Sequence, residues 1–161
     1  MTTKEYNQCV DEYSDGVYRF VLKNLRDEEM ARDVVQDAFM KMWEKAASIT
    51  GSKAKSYLFT AAYHTMIDFI RKEKRYTSDE NVSSAYFSTS NHYSDLKEVL
   101  EEAFEKLNDI QKSVLLLRDY EGYSYKEIAE IVELSDAQVK VYIYRARVAM
   151  KKYIGSLEMV I

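Results

Sequence analysis

Proline is absent from the 161 residues, glycine occurs at only four positions, and Cys9 is the sole cysteine. Without proline, long helices are permitted. With glycine confined to positions 16, 51, 122 and 155, a Gly-rich phosphate loop cannot be assembled. One cysteine excludes an internal disulfide and fits a reducing compartment. No run of 18 apolar residues exists, so no membrane span is expected. The opening MTTKEYNQCVDEY lacks an apolar core, so a secretory signal is not expected either. The two histidines and the cysteine are scattered, which gives no metal site. No nucleophile–base pair stands out. Neither catalysis, a cofactor nor a small-molecule substrate is expected.

What is present is charge in blocks. The formal net charge is −4. Residues 1–37 sum to −4 and residues 76–110 to −6, whereas 38–75 sum to +5 and 136–161 to +3. Each basic block is a candidate surface for an anionic partner. Ordinary solvated helix faces are the plain alternative.

Helical periodicity recurs along the chain. Tyr6, Val10, Tyr13, Val17 and Val21 form one stripe. Ala31, Val34, Val35, Ala38, Phe39, Met42 and Ala46 form a second, behind the acidic start Asp27–Glu29. SITGSKAKS then reads as a loop, 47–56. A third helix carries Leu58, Ala61, Ala62, Thr65 and Phe69 and runs out into RKEKR. Residues 76–94 are rich in Ser, Thr and Asn without a period, and read as a flexible linker. Leu96 to Leu107 and Ile110 to Tyr120 read as two more helices. No alternating strand pattern competes. The expectation is an all-α chain of two small helical bundles, 1–75 and 95–161, joined by the linker 76–94.

Residues 124–147, SYKEIAEIVELSDAQVKVYIYRAR, contain two capping boxes, Ser124 with Glu127 and Ser135 with Gln138. Two helices so closely joined cross steeply, as in a helix-turn-helix. Glu133 falls where the turn wants a left-handed residue, at a cost of roughly 1 kcal/mol. At 100° per residue, Val139, Ile143, Ala146, Met150 and Tyr153 share the inner side of the second helix. Lys140, Val141, Tyr144, Arg145, Val148, Lys151 and Lys152 share the outer side, which has no carboxylate. Such a face fits a DNA major groove, with cations on phosphates and N-terminal side chains at base edges. A polar face on a protein-binding bundle is the alternative.

This stretch resembles region 4 of bacterial sigma factors, nearest the extracytoplasmic-function (ECF) group of the sigma-70 family. RDEEMARDVVQDAFMKMWEKA is similar to region 2.2, through Ala31, Asp33, Val34, Val35, Gln36, Asp37, Phe39 and Trp43. KSYLFTAAYHTMIDFIRKEKR is similar to regions 2.3–2.4, with Tyr57 in place of the usual tryptophan and His64 in place of the usual asparagine. The two motifs in this order cover nearly the whole chain.

The resemblance implies an alternative sigma factor that directs promoter-specific initiation. Its partners would be the RNA polymerase core, through the clamp coiled coil and flap, promoter DNA, and an anti-sigma factor. Asp33, Gln36, Asp37 and Lys41 would touch the core. Lys53, Lys55, Tyr57, Tyr63, His64, Arg71, Lys72 and Arg75 would open the −10 element, rings stacking on unpaired bases and cations holding the backbone. Phe59 is either a further stacking ring or core, and the loop 47–56 would wall a pocket for a flipped base. Lys140, Val141, Tyr144, Arg145, Arg147 and Lys151 would serve the −35 element. The implied location is cytoplasmic, at the nucleoid when active or at the inner membrane when an anti-sigma factor holds the chain there. Two rivals remain open at this level: a stand-alone helix-turn-helix regulator, and a helical interaction protein without a DNA role.

Overall fold

The computed structural model describes residues 1–76 and 96–158. The linker expected at 76–94 lies, apart from Tyr76, outside the described residues. Three helices make the N-terminal bundle: α1 (Thr3–Leu25), α2 (Glu28–Glu44) and α3 (Ala54–Tyr76). Four make the C-terminal one: α4 (Leu96–Glu105), α5 (Asp109–Leu115), α6 (Tyr125–Val132) and α7 (Asp136–Glu158). No strand occurs among the described residues, as the periodicity implied.

Local chemistry sets the helix ends. Thr2 and Glu5 form a capping box for α1, Asp27 caps α2 at the Met30 N–H, and Asn108 with Gln111 caps α5. Each cap satisfies backbone donors that a helix start leaves orphaned, for about 1 kcal/mol. The chain after α5 does not continue as an α-helix. Residues 116–120 widen into a π turn, closed by the Glu121 N–H donating to the Leu116 carbonyl, and Gly122 reverses the chain at φ 73°.

The expected loop 47–56 is shorter than the sequence suggested. Two 3-10 turns occupy 46–48 and 51–53, and α3 starts at Ala54. Ile49 and Ala54 are buried and pin this connection to the core. Lys55 and Ser56 are therefore helical residues, not loop residues.

The two bundles pack on each other around one continuous apolar core, from Val17, Phe20, Leu58 and Phe59 through Leu116 and Leu117 to Ile128 and Ile143. The joint has two parts. At α1, the Arg19 guanidinium donates three times to the Glu121 carboxylate, from Nη2 at 2.6 and 2.8 Å and from Nε at 3.2 Å, and Ser113 Oγ donates to Asn24 Oδ1. At α3, the Phe59 ring meets Tyr123 edge-to-face at 5.1 Å, and α6 lies alongside.

Candidate nucleic-acid interface

The helix-turn-helix is built from α6 and α7. Ser124 and Ser135 each cap their helix at the third backbone N–H, and Glu127 and Gln138 each accept the cap's own N–H. Between them Glu133 adopts φ 58°, ψ 48°, and Leu134 N–H closes onto the Ala129 carbonyl. The left-handed non-glycine residue expected from the turn's length is thus the one observed.

Helix α7 has two distinct sides. Val139, Ile143 and Ala146 are fully buried, with Met150 packed against the same core. Lys140, Val141, Tyr144, Arg145, Val148, Lys151 and Lys152 are exposed, and Tyr144 is 69% exposed. A tyrosine and two valines held in water beside four cations have no packing role to explain them. Arg147 is different from its neighbours: its guanidinium is held by Asp119 at 2.6 Å, at the flank of the helix. That ion pair favours a structural tie over contact with a phosphate.

On α3, Lys53, Arg71, Lys72 and Arg75 are exposed, Lys53 standing just before the helix. Tyr57 lies half-buried, its hydroxyl donating to the Lys41 carbonyl at 3.4 Å. Tyr63 is half-buried in an edge contact with His64, and burial raises its phenol above the ordinary tyrosine value. Phe59 is 1% exposed between Phe20 and Tyr123, so it is core and not a stacking ring. Lys55 is already engaged, 3.0 Å from Glu127 and 4.1 Å from the centroid of the Tyr123 ring. His64 stands 3.5 Å from Glu133.

On α2, Asp33 and Gln36 are exposed. Asp37 bonds Lys41 at 2.9 Å and accepts from the Thr65 hydroxyl. The hydrogen bond from Lys41 is the main reason its carboxyl lies below the ordinary aspartate range. A notch between α2 and α3 is lined by Asp33, Asp37, Lys41, Thr65, Asp68 and Lys72, so the two faces adjoin. Among the described residues no cluster of His, Cys, Asp or Glu could hold a metal.

Comparison with known proteins decides the family. The sigma-70 region 2 family model matches residues 9–76, and the sigma-70 region 4 model matches residues 97–150. The ECF RNA polymerase sigma factor SigM of Bacillus subtilis is 33% identical over 156 residues, 94% of both chains. The RNA polymerase sigma factor YlaC of the same organism is 31% identical, covering 88% of this chain and 87% of that one. The sigma factor RpoE of Bartonella quintana, solved in complex with the anti-sigma factor NepR, has the same fold. It superposes with a TM-score of 0.76 at 24% identity over 95% of this chain and 98% of that one.

The chain belongs to the ECF group of sigma-70 factors.

As a member of that group it is a promoter-specific initiation factor of RNA polymerase. The region 2 match spans α2 and α3, and the region 4 match ends within α7. Two residues on α2 were not among the expected contacts, Met40 unremarked and Trp43 named only as part of the region 2.2 motif. Met40 and Trp43 are 56% and 52% exposed and follow Gln36 at i+4 and i+7, so they share its face. Placing Phe39 and Met42 inward leaves 40 and 43 outward, and that was the available signal. A groove of about 1320 Å³ also runs between the bundles, walled by Leu22 of α1, Leu96, Leu100 and Phe104 of α4, and Met150 and Ile154 of α7.

Proposed function

We propose that this sigma factor grips a promoter at two places, melting the −10 element with α3 and reading the −35 element with the outer face of α7. Residues 1–75 would form the first grip and 95–161 the second. The observation that carries this is the α7 face, where Val141, Tyr144 and Val148 are kept in solvent among Lys140, Arg145, Lys151 and Lys152. An α-helix of this kind fits the major groove, where Val141 can meet a thymine methyl and Arg145 a guanine edge.

On α3, Tyr57 and Tyr63 supply rings for unpaired bases, and His64 stands beside them. Lys53, Lys55, Arg71, Lys72 and Arg75 supply cations for the backbone. Asp33, Gln36, Asp37 and Lys41 dock on the polymerase clamp, and the exposed Met40 and Trp43 extend that contact with apolar area. The polymerase, not this chain, makes the phosphodiester bond.

Two further expectations belong to this reading. The apolar groove between the bundles suits the amphipathic helix of an anti-sigma factor, the class of partner in which RpoE was solved. Among the described residues no helix is long and apolar enough to cross a membrane, which accords with work at the nucleoid in the cytoplasm.

The test is transcription by purified core polymerase on genomic DNA, with start sites sequenced. Addition of the chain is expected to create a discrete set of starts that share −10 and −35 sequences. Starts unchanged from core alone would overturn the proposal.

A further inference from the structure

Thr65 is the polar member of the inner stripe of α3. It sits among Leu58, Ala62 and Met66 and is 7% exposed. A threonine inside a helix often returns its hydroxyl to a carbonyl of its own preceding turn. Here Oγ1 instead donates to Asp37 Oδ2 of α2 at 3.0 Å and accepts from Lys41 Nζ at 3.0 Å. Lys41 Nζ is itself 2.9 Å from Asp37 Oδ2. Three polar atoms close a triangle with one buried corner, Thr65. Its two charged corners are half-exposed, Lys41 at 46% and Asp37 at 44%.

An i, i+4 ion pair on a helix surface is loose by itself. Both side chains lose rotamer freedom to form it, and such pairs contribute little. This pair differs because the third corner comes from another helix. Thr65 is β-branched and stiff at χ1, so its hydroxyl is a fixed point. The hydroxyl uses its donor on Asp37 and an acceptor site on Lys41. After the bond from Lys41, the bond from Thr65 also draws the Asp37 carboxyl below the ordinary aspartate range, against burial, which raises it.

Lys41 is joined to α3 a second time, through its backbone. Its carbonyl takes the Tyr57 hydroxyl at 3.4 Å. Side chain and main chain of one α2 residue are both held from α3. Asp37 and Lys41 lie on the face assigned to polymerase docking. A side chain already ordered before contact has less freedom to lose when the partner arrives.

We infer that Thr65 is a positioning residue for polymerase docking: from inside the bundle, its hydroxyl presets the Asp37 carboxylate and the Lys41 ammonium on the outer face of α2. The inference rests on the assignment of α2 to polymerase made above. Thr65 is too buried to touch polymerase, so it acts only through the two residues it holds. One fixed charge of each sign asks for the opposite pair on the polymerase surface, at matching spacing.

The test separates the hydroxyl of Thr65 from its methyl group. Thr65→Val keeps the shape and removes the hydroxyl, whereas Thr65→Ser keeps the hydroxyl and removes the methyl. Thr65→Ala, which also lacks the hydroxyl, stands in should Thr65→Val lose helicity by circular dichroism. Affinity for purified core polymerase is measured by competition with the labelled, unaltered chain. Thr65→Val is expected to bind about fivefold more weakly, and Thr65→Ser within about twofold of the unaltered chain. The reverse order would overturn the inference, because packing of the methyl would then be what matters. In a chain carrying Asp37→Ala and Lys41→Ala, adding Thr65→Val is expected to cause no further loss. A further loss of the same size there would also overturn it.

Titration of the carboxyls by NMR reads the bond without polymerase. The Asp37 value is expected to rise toward the ordinary aspartate range in Thr65→Val and to stay in place in Thr65→Ser. Asp33, Asp68 and Lys72 line the same notch and are unaltered in both variants, so their charges do not distinguish the two. An unmoved Asp37 in Thr65→Val would overturn positioning through this hydroxyl. If Asp37→Ala with Lys41→Ala costs polymerase affinity and Thr65→Val does not, the inference alone fails. If neither costs affinity, the docking assignment of α2 fails and the inference with it.

Discussion

Lys55 of α3 and Glu127 of α6 lie 72 positions apart and meet at 3.0 Å, with the lysine also over the Tyr123 ring. Glu127 serves two ends at once, because its other oxygen accepts the Ser124 N–H at the start of α6. The Ser124 backbone bond first, and Lys55 second, hold its carboxyl below the ordinary glutamate range. A depressed folded-state value gives stability that is complete above the unfolded value, about 4.3, and lost as pH falls through the lower folded one. Thermal unfolding of Glu127→Gln should therefore show a smaller drop in midpoint than the unaltered chain below about pH 4. Equal drops would separate Glu127 from acid sensitivity.

Glu133 closes α6 in the left-handed region at φ 58°. A side chain there costs roughly 1 kcal/mol relative to glycine. Glu133→Gly should raise stability by up to about that amount in urea unfolding, with the loss of the His64 contact subtracting little because both groups are exposed. A destabilised variant would mean that the contact with α3 outweighs the backbone strain.

The outer face of α7 can be separated from polymerase docking. Lys140→Glu with Arg145→Glu should abolish use of a mapped promoter while co-purification with core polymerase survives. Asp33→Arg with Gln36→Ala, or Trp43→Ala, should instead weaken core association about tenfold, and promoter use along with it, with the circular dichroism spectrum unchanged. Loss of core binding in the first pair would contradict a division of labour between the bundles.

Arg147 supplies a contrast within one helix. Its partner Asp119 raises its already high pKa and fixes it at the flank. Arg147→Ala should lower the unfolding midpoint while changing promoter binding less than twofold, whereas Arg145→Ala should do the opposite. Comparable losses of binding would return Arg147 to the DNA-contacting set.

The inward and outward sides of α7 were legible because two capping boxes set its start and α6's, and because 100° steps then sort each side chain. Glu133 was legible because a turn that short leaves few positions for the left-handed residue. The start of α3 was misread: SITGSKAKS is polar and contains Gly51, yet burial of Ile49 and Ala54 winds it into turns and brings the helix forward. The docking of α6 on α3 was not legible, because nothing in local periodicity pairs Glu127 with Lys55 or Arg19 with Glu121. Such pairing is a tertiary choice between surfaces each of which looks solvated alone. For the same reason Lys55 and His64 read as free groups, although both have carboxylates beside them.

The most direct measurement is footprinting on one promoter taken from the start-site map, with purified core polymerase and this chain. The expected result is protection at −35 together with permanganate-reactive, unpaired thymines at −10, both disappearing when either component is left out. Protection of a palindromic duplex by the chain alone, as tight as with polymerase and without unpaired thymines, would contradict it and leave a stand-alone helix-turn-helix regulator in its place.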